Sequence, residues 1–280
     1  MRFRLIDDVA EFALAAGPFL RVEPFTANVV SVHVQDIVDG RRTPSPGSSW
    51  IVVDDDGHTV GAAMHTPPHS LFVPRLPRGV PEVIAAGLAA SGRVLPGVNG
   101  EASSVDRFAR EWQARTGQES RTRVSMRMYV LEELRPPEGI AGRPRIASAH
   151  DLERVATWLQ SFRVEAMLGE PHEDHEATAR RRVAAGQIWL WDVDGEVVAL
   201  AGVSAPALGV ARVGPVFTPR DRRGHGYGSA VTAAASQAGI DGGAAHVVLY
   251  TDLANPVSNS IYQTIGYVPE HDAEERDFIS

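Results

Sequence analysis

The residues best suited to chemistry lie in a glycine-rich turn at residues 213–229, VGPVFTPRDRRGHGYGS. Gly224, Gly226 and Gly228 alternate with other residues, and an Ala-rich stretch typical of a helix follows at once. Glycine permits positive φ and close approach of the backbone, so successive amide N–H groups can point into one concavity at a helix N-terminus. The pattern therefore predicts a cradle for a diphosphate.

Two well-known phosphate loops do not fit this segment. The dinucleotide-binding fingerprint needs G-x-G-x-x-G, whereas the spacing here is G-x-G-x-G. A Walker loop needs Gly-Lys, and the chain has no Lys, so all 27 basic residues are Arg. A flexible turn that binds nothing is the alternative, and the preceding strand, the following helix and two neighbouring Arg residues favour the cradle.

Composition excludes several other chemistries. Because the chain has no Cys, it has no disulfide, no thiolate nucleophile and no Cys-ligated metal. The length of 280 residues allows one large or two ordinary domains, and 44% hydrophobic with 22% charged residues is typical of a globular protein. The net charge of −8 argues against nucleic acid as the main partner.

The sequence predicts neither a secretory signal nor a membrane segment. Asp7, Asp8 and Glu11 interrupt the N-terminal apolar stretch, which a signal peptide does not tolerate. The longest apolar run, residues 197–217, contains several Gly and Pro residues and fits two buried strands better than a membrane helix. We therefore expect a cytoplasmic protein with no membrane partner.

The elements that must position the turn follow from periodicity and turn residues. Ser148 and Asp151 predict a helix start, and Asp194-Gly195 predicts a hairpin between two apolar strands. Further elements are predicted as a helix at 176–185, a strand at 211–218, a helix at 226–238, a strand at 245–251 and a helix at 257–265. This order predicts an α/β fold, of the α+β type, with a mixed sheet.

A linker divides the chain into two halves of similar outline. Residues 135–144, RPPEGIAGRP, contain three Pro and two Gly, so we predict domains at 1–135 and 145–280 joined by residues 136–144. Both halves contain a strand, an Asp-Gly turn and a second strand, at residues 49–66 and 188–205. Helices predicted at 81–90 and 105–116 continue the match, which favours a duplication.

The turn and the segment after it resemble the GNAT superfamily of acyl-CoA-dependent N-acyltransferases. Residues 223–228, RGHGYG, look like the family's Arg/Gln-x-x-Gly-x-Gly/Ala signature. Residues 249–267 are similar to its strand, Asn, helix, Tyr and Gly-aromatic stretch, carried here by Asn255, Tyr262, Gly266 and Tyr267. The resemblance covers about residues 145–278. It implies two GNAT-like halves, each a mostly antiparallel sheet flanked by helices, of which the first is a degenerate copy without a phosphate loop.

By this resemblance, acetyl-CoA is the co-substrate and no metal is needed. The residues implied to bind it are Val216, Phe217, Thr218, Arg223, Gly224, His225, Gly226, Tyr227, Gly228, Ser229, Asn255 and Tyr262. The loop amides would hold the diphosphate, Arg223 would shape the loop, and an amide at or near Val216 would polarise the thioester carbonyl. A side chain added at Gly226 would fill the diphosphate site.

The resemblance also implies direct acetyl transfer to an amine in a ternary complex, because an acyl-Cys intermediate is impossible without Cys. Tyr262 matches the family position of the acid that protonates the leaving thiolate, with a packing role as the alternative. Glu165 is the first candidate for the base and Glu173 the second, against the interpretation that both are solvated carboxylates. His172 and His175 lack the spacing of a helical metal site, so a solvated loop is favoured there.

Three functions stay open at this point: an N-acetyltransferase, a non-catalytic acyl-CoA-binding sensor and an O-acyltransferase. For the first, the expected acceptor is a small-molecule amine or a peptide N-terminus, and the expected state is a monomer or a homodimer. In the first half, residues 76–81 at the loop position contain a single Gly, and Gln113 stands where Tyr262 stands in the second half. We therefore expect the first half not to bind acetyl-CoA.

Overall fold

The structure, a computed structural model, describes residues 1–166 and 174–279. The chain forms two compact units, Met1–Arg127 together with the chain from His271 onward, and Met128–Glu270. Each unit has its own hydrophobic core, the first around Phe12, Trp50, Phe108 and Trp112 and the second around Tyr129, Val231, Leu249 and Tyr267.

The first half of the chain alternates short strands and helices. In order these are β1 (Arg2–Ile6), α1 (Val9–Val22), α2 (Asn28–Val38), β2 (Ser49–Asp55), β3 (His58–His65), β4 (Leu71–Val73), α3 (Val80–Ala90), β5 (Gly97–Glu101), α4 (Ala102–Thr116) and β6 (Glu119–Leu131). The patterns in the sequence did not predict α1 and α2. The acidic cluster at the N-terminus belongs to the start of α1, where the Asp8 carboxylate accepts from the Glu11 N–H at 2.7 Å and caps the helix.

The second half repeats this order of elements in its described residues. They are β7 (Arg143–Ile146), α5 (Leu152–Glu165), α6 (His175–Ala184), β8 (Ile188–Val193), β9 (Glu196–Val203), β10 (Val210–Phe217), α7 (Tyr227–Asp241), β11 (His246–Asp252), α8 (Pro256–Thr264) and β12 (Tyr267–Ile279). One predicted boundary is wrong, because Gly239 does not end α7. Its missing Cβ would lie 3.3 Å from Ala211 and Val247, so this glycine lets the helix pack closely on β10 and β11.

The sheets are mixed and mostly antiparallel, as predicted. In the second unit the strand order is β6-β11-β10-β9-β8-β7, antiparallel from β7 to β10 and parallel between β10 and β11. In the first unit β1 to β4 pair antiparallel in sequence order and β4 pairs parallel with β5. The end of β12 then pairs antiparallel with β5, where Ala273 lies opposite Glu101.

The division between the units falls inside two long strands. It separates Arg127 from Met128 within β6 and Glu270 from His271 within β12. Residues 136–144, predicted as a linker from their Pro and Gly content, therefore lie within the second unit. Their role as a domain boundary stays a prediction.

Candidate active site

The predicted phosphate loop joins β10 to α7. A short 3-10 turn at Arg220–Arg222 comes first, and Gly226 is the N-cap residue of α7. Gly224 and Gly226 have φ angles of +82° and +80°, a left-handed conformation that favours glycine. Left-handed residues in front of a helix direct successive amides toward one side, as in anion-binding nests. The positive φ angles explain why glycine occupies positions 224 and 226. They do not explain Gly228, which lies within α7.

Arg223 ties this loop to the end of β10 and to α5. Its Nε donates to the Thr218 carbonyl at 2.9 Å, and its Nη2 donates to Glu165 Oε2 at 2.5 Å. The Nε of Arg220 donates to the other oxygen of the same carboxylate at 3.2 Å. The predicted role of Arg223 in shaping the loop therefore has a direct geometric basis.

The same contacts make Glu165 a weaker candidate for the base than the sequence suggests. Burial acts to raise the pKa of the Glu165 carboxyl, but hydrogen bonds from Arg223 and Arg220 outweigh it and hold that pKa below its ordinary value. A carboxylate paired with two guanidinium groups has little tendency to take a proton from an amine. In this structure the Glu165 carboxylate holds two arginines of the loop segment, and its role as the base stays a prediction. Glu173, the second candidate, and His172 lie outside the described residues.

If the loop holds the predicted co-substrate acetyl-CoA, replacing Arg223 with Ala is expected to weaken its binding about tenfold, because the loop loses its tie to the Thr218 carbonyl and a hydrogen bond from a charged donor contributes about 1.5–3 kcal/mol. We take the lower end of that range because the side chain is half exposed. Arg223→Gln is the matched control, since its amide keeps one donor and Gln is the alternative in the family signature. Calorimetric titration measures both, and equal affinity of the Ala variant and the parent would contradict this role.

The strands β10 and β11 separate at the end that carries the loop. Their parallel pairing ends at Arg212 and Val248, although both strands continue for several residues. On its other side, β10 carries an extra residue opposite β9 between Val213 and Val216, which is a β-bulge. The backbone of residues 216–218 therefore lies beyond the part of β10 that pairs with β11. Such a strand edge can pair with an extended ligand through its free N–H and C=O groups.

Tyr262 of α8 is buried in the core of the second unit, with its ring edge toward Tyr267 and 6.3 Å between the centroids. Val216 and Tyr227 pack against the same cluster, so the bulge and the start of α7 both border the core that contains Tyr262. Burial raises the pKa of the Tyr262 phenol to about 12, although a hydrogen bond with Ser258 acts in the opposite direction. The phenol therefore keeps its proton at neutral pH.

Two residues predicted to bind the co-substrate make local contacts. Asn255 caps α8, and its Oδ1 accepts from the Ser258 N–H at 3.0 Å. The exposed His225 ring stacks on Tyr227, and its Nδ1 lies 2.9 Å from the Arg223 carbonyl oxygen. These contacts shape the helix start and the loop, and a direct role of Asn255 and His225 in binding stays a prediction.

The structure gives a packing reason for glycine at 226, and the prediction that a side chain there would fill the diphosphate site stays a prediction. A Cβ built on Gly226 would overlap Cδ1 of Ile140, a half-buried residue of the segment between β6 and β7. That segment is held by Trp191, whose indole N–H donates to the Ala141 carbonyl at 2.8 Å. A Cβ on Gly224, by contrast, would meet no atom within 4 Å. Packing against Ile140 requires glycine at 226, whereas Gly224 faces open space.

The corresponding part of the first unit is closed. There β4 pairs with β5 along its whole length, and a Cβ on Gly100 would overlap the Val73 carbonyl oxygen. Gly79 caps α3 with φ of +90°, as Gly226 caps α7, but the Met1 side chain lies 2.9 Å from the position of its Cβ. The first unit therefore repeats the helix start of the loop without the parted strands beside it.

Neither a metal cluster nor a membrane-spanning helix occurs in residues 1–166 and 174–279. No group of three or more His, Cys, Asp or Glu side chains in these ranges could hold a metal ion. No helix within them is long and apolar enough to cross a bilayer. His175, considered in the sequence as a metal ligand, is the first residue of α6.

The end of the β10–β11 pairing and the left-handed glycine loop lie in the part of the chain that matches a known family. Residues 152–267 match the model of the acetyltransferase (GNAT) family, so this part of the chain is a GNAT domain. The resemblance drawn from the loop and the Tyr262 segment is thereby confirmed.

Solved structures with the same fold cover nearly the whole chain. An acetyltransferase of the GNAT family from Colwellia psychrerythraea is 12% identical over 100% of both chains, with a TM-score of 0.60. A GCN5-related N-acetyltransferase from Sphaerobacter thermophilus is 17% identical over 99% of this chain and 95% of its own, also with a TM-score of 0.60. A tandem GNAT protein from the clavulanic acid biosynthesis pathway is 14% identical over 99% and 98% of the two chains, with a TM-score of 0.57. Among curated proteins, no sequence matches.

Proposed function

We propose that this protein is an N-acetyltransferase that moves the acetyl group of acetyl-CoA directly to an amine in a ternary complex. The observation that carries the proposal is the end of β10 beyond its pairing with β11, which leads into the left-handed glycine loop and borders the cluster that contains Tyr262. A long co-substrate with a diphosphate at one end and a thioester at the other suits this arrangement. The diphosphate oxygens accept hydrogen bonds from the backbone N–H groups of residues 224–229. The pantetheine arm pairs with the edge of β10.

In the proposed reaction, the amine nitrogen attacks the thioester carbonyl carbon and a tetrahedral intermediate forms. An amide of the bulge, at or near Val216, stabilises the oxygen that becomes negative. The C–S bond then breaks, and Tyr262 donates its proton to the departing thiolate and regains one from solvent. The proton lost by the amine passes to water, because the two arginines hold Glu165. Since the chain has no Cys, no acyl-Cys intermediate takes part.

The two halves differ in role under this proposal. Residues 145–280 form the acetyl-CoA-binding domain, and residues 1–135 form a degenerate copy that does not bind the co-substrate. The closed pairing of β4 with β5 supports this difference, since it leaves no edge for a pantetheine arm. The tandem GNAT protein that covers the same length supports the two-copy arrangement. The acceptor is a small-molecule amine or a peptide N-terminus, and the protein acts in the cytoplasm as a monomer or homodimer.

Release of free thiol from acetyl-CoA, measured across a panel of small amines and peptides, tests the proposed function. Turnover with an N-acetyl product identified by mass spectrometry is the expected result. Tight acetyl-CoA binding without turnover would favour a sensor, and an O-acetyl product would favour an O-acyltransferase. Calorimetry should find a single acetyl-CoA per chain, and a second site in the first half would contradict its role as a degenerate copy.

A further inference from the structure

Arg182, in the last turn of α6, reaches the bulge of β10. Its Nη2 donates to the Gly214 carbonyl at 2.8 Å. Gly214 lies between Val213 and Val216, the residues that bound the bulge, and two positions before the amide proposed to face the thioester. A charged donor on this carbonyl fixes the direction of the peptide group that follows it, since hydrogen bonds to charged groups are shorter and stronger than neutral ones.

A glycine in the neighbouring strand makes room for this contact. A Cβ built on Gly202 of β9 would overlap Nη2 of Arg182 and would lie 2.7 Å from the Gly214 oxygen. The guanidinium and the carbonyl therefore share the space directly over Gly202. Gly202 lies opposite Ile188 in the ladder with β8, so a side chain would otherwise be ordinary at this position. A glycine therefore occupies this position in the interior of β9, where Arg182 contacts the bulge.

We propose that Arg182 is a positioning residue that holds the β10 bulge and so directs its amide toward the thioester carbonyl. The inference rests on the proposed function. Arg182 does not touch the reacting atoms. It acts through the Gly214 peptide, so its loss disturbs the stabilisation of the oxyanion more than it disturbs binding of the co-substrate, which the loop at residues 223–229 retains.

Steady-state kinetics of the full chain tests the proposal. For Arg182→Met we expect kcat to fall about 10- to 100-fold, less than the loss of an oxyanion donor itself, while KM for acetyl-CoA stays within about threefold of the parent. Methylguanidinium added to Arg182→Ala is expected to restore part of kcat, whereas tetramethylammonium at the same concentration restores none. If Arg182 only stabilised the fold, its loss would not lower kcat while leaving KM unchanged, and methylguanidinium would not restore kcat.

Arg180→Met is the matched control. Arg180 lies on the same helix and pairs with the exposed Glu176 at 2.7 Å, so its loss should leave kcat unchanged. If Arg182→Met fails to fold, Arg182→Lys keeps the charge and the stem but loses the planar fork, and the same fall in kcat is expected. Parent-like kcat in a folded Arg182 variant overturns the inference alone. A parent without turnover on any acceptor overturns the proposed function and this inference with it.

Discussion

Tyr262→Phe is expected to lower kcat by about 10²- to 10⁴-fold, the usual contribution of a positioned general acid. KM for acetyl-CoA should change little, because the ring that packs against Tyr267 is kept and only the hydroxyl is lost. Burial raises the pKa of this phenol to about 12, so the proton that the thiolate needs is present at every pH at which the protein is normally assayed. Steady-state rates of thiol release measure the effect.

The raised pKa of Tyr262 makes the stability of the fold depend on pH. Because the folded pKa of Tyr262 lies above the unfolded value near 10, the neutral phenol favours the folded state below about pH 10, and this contribution is lost as the pH rises toward 12. Ionisation of Tyr262 should therefore not limit kcat below about pH 10.

Tyr267→Phe is the control, since Tyr267 is also buried but its hydroxyl contacts Ser236 of α7 at 2.7 Å. It should cost stability and leave kcat close to the parent value. Parent-like kcat in Tyr262→Phe would assign Tyr262 to packing alone.

Gly226→Ala should lower the free energy of unfolding by about 2–5 kcal/mol. This is the sum of the cost of placing Ala in a left-handed conformation, about 1–2 kcal/mol, and the cost of overpacking, about 1–3 kcal/mol. The first contribution follows from φ of +80°, and the second from the overlap of the new Cβ with Ile140. Urea unfolding measures the loss, and acetyl-CoA affinity should fall with it because the N-cap of α7 moves.

Gly224→Ala and Ile140→Ala separate the two contributions. Gly224 has almost the same φ, +82°, but open space at its Cβ position, so its Ala variant should show the conformational cost alone. Ile140→Ala combined with Gly226→Ala should be less destabilised than the sum of the two single variants, by about the overpacking contribution. Strict additivity of the two losses would show that Ile140 does not explain the glycine at 226.

The elements of the second half could be predicted because strong local signals mark their ends. Asp194 and Gly195 both adopt positive φ, 51° and 88°, as a two-residue hairpin turn requires. Asp56 and Gly57 do the same in the first half, with φ of 46° and 81°. Two elements of the first half lack such signals and could not be predicted. Helix α1 contains Pro18 within its span, and β4 has only three residues.

The candidate site could be predicted only where the backbone conformation dictates residue type. The left-handed glycines at 224 and 226 are visible in the sequence because few other residues adopt that conformation. Contacts between residues far apart in the chain are not visible in this way. Ile140 against Gly226 and the Arg223–Glu165 pair depend on strand register and helix placement. For that reason the sequence could not show that Glu165 pairs with Arg223 and Arg220, and its role in proton transfer stays a prediction.

The division of β6 and β12 between the units has a consequence for how the chain is made. Residues 271–279, which pair with β5, are translated only after the whole of the second unit. During synthesis on the ribosome, the first unit must therefore wait with the free edge of β5 exposed until the last strand emerges. Cleavage of the chain in the Pro- and Gly-rich segment before Pro144 would place β5 and its partner β12 on different fragments. The halves are repeats in sequence order, but neither segment of chain contains all the strands of one unit.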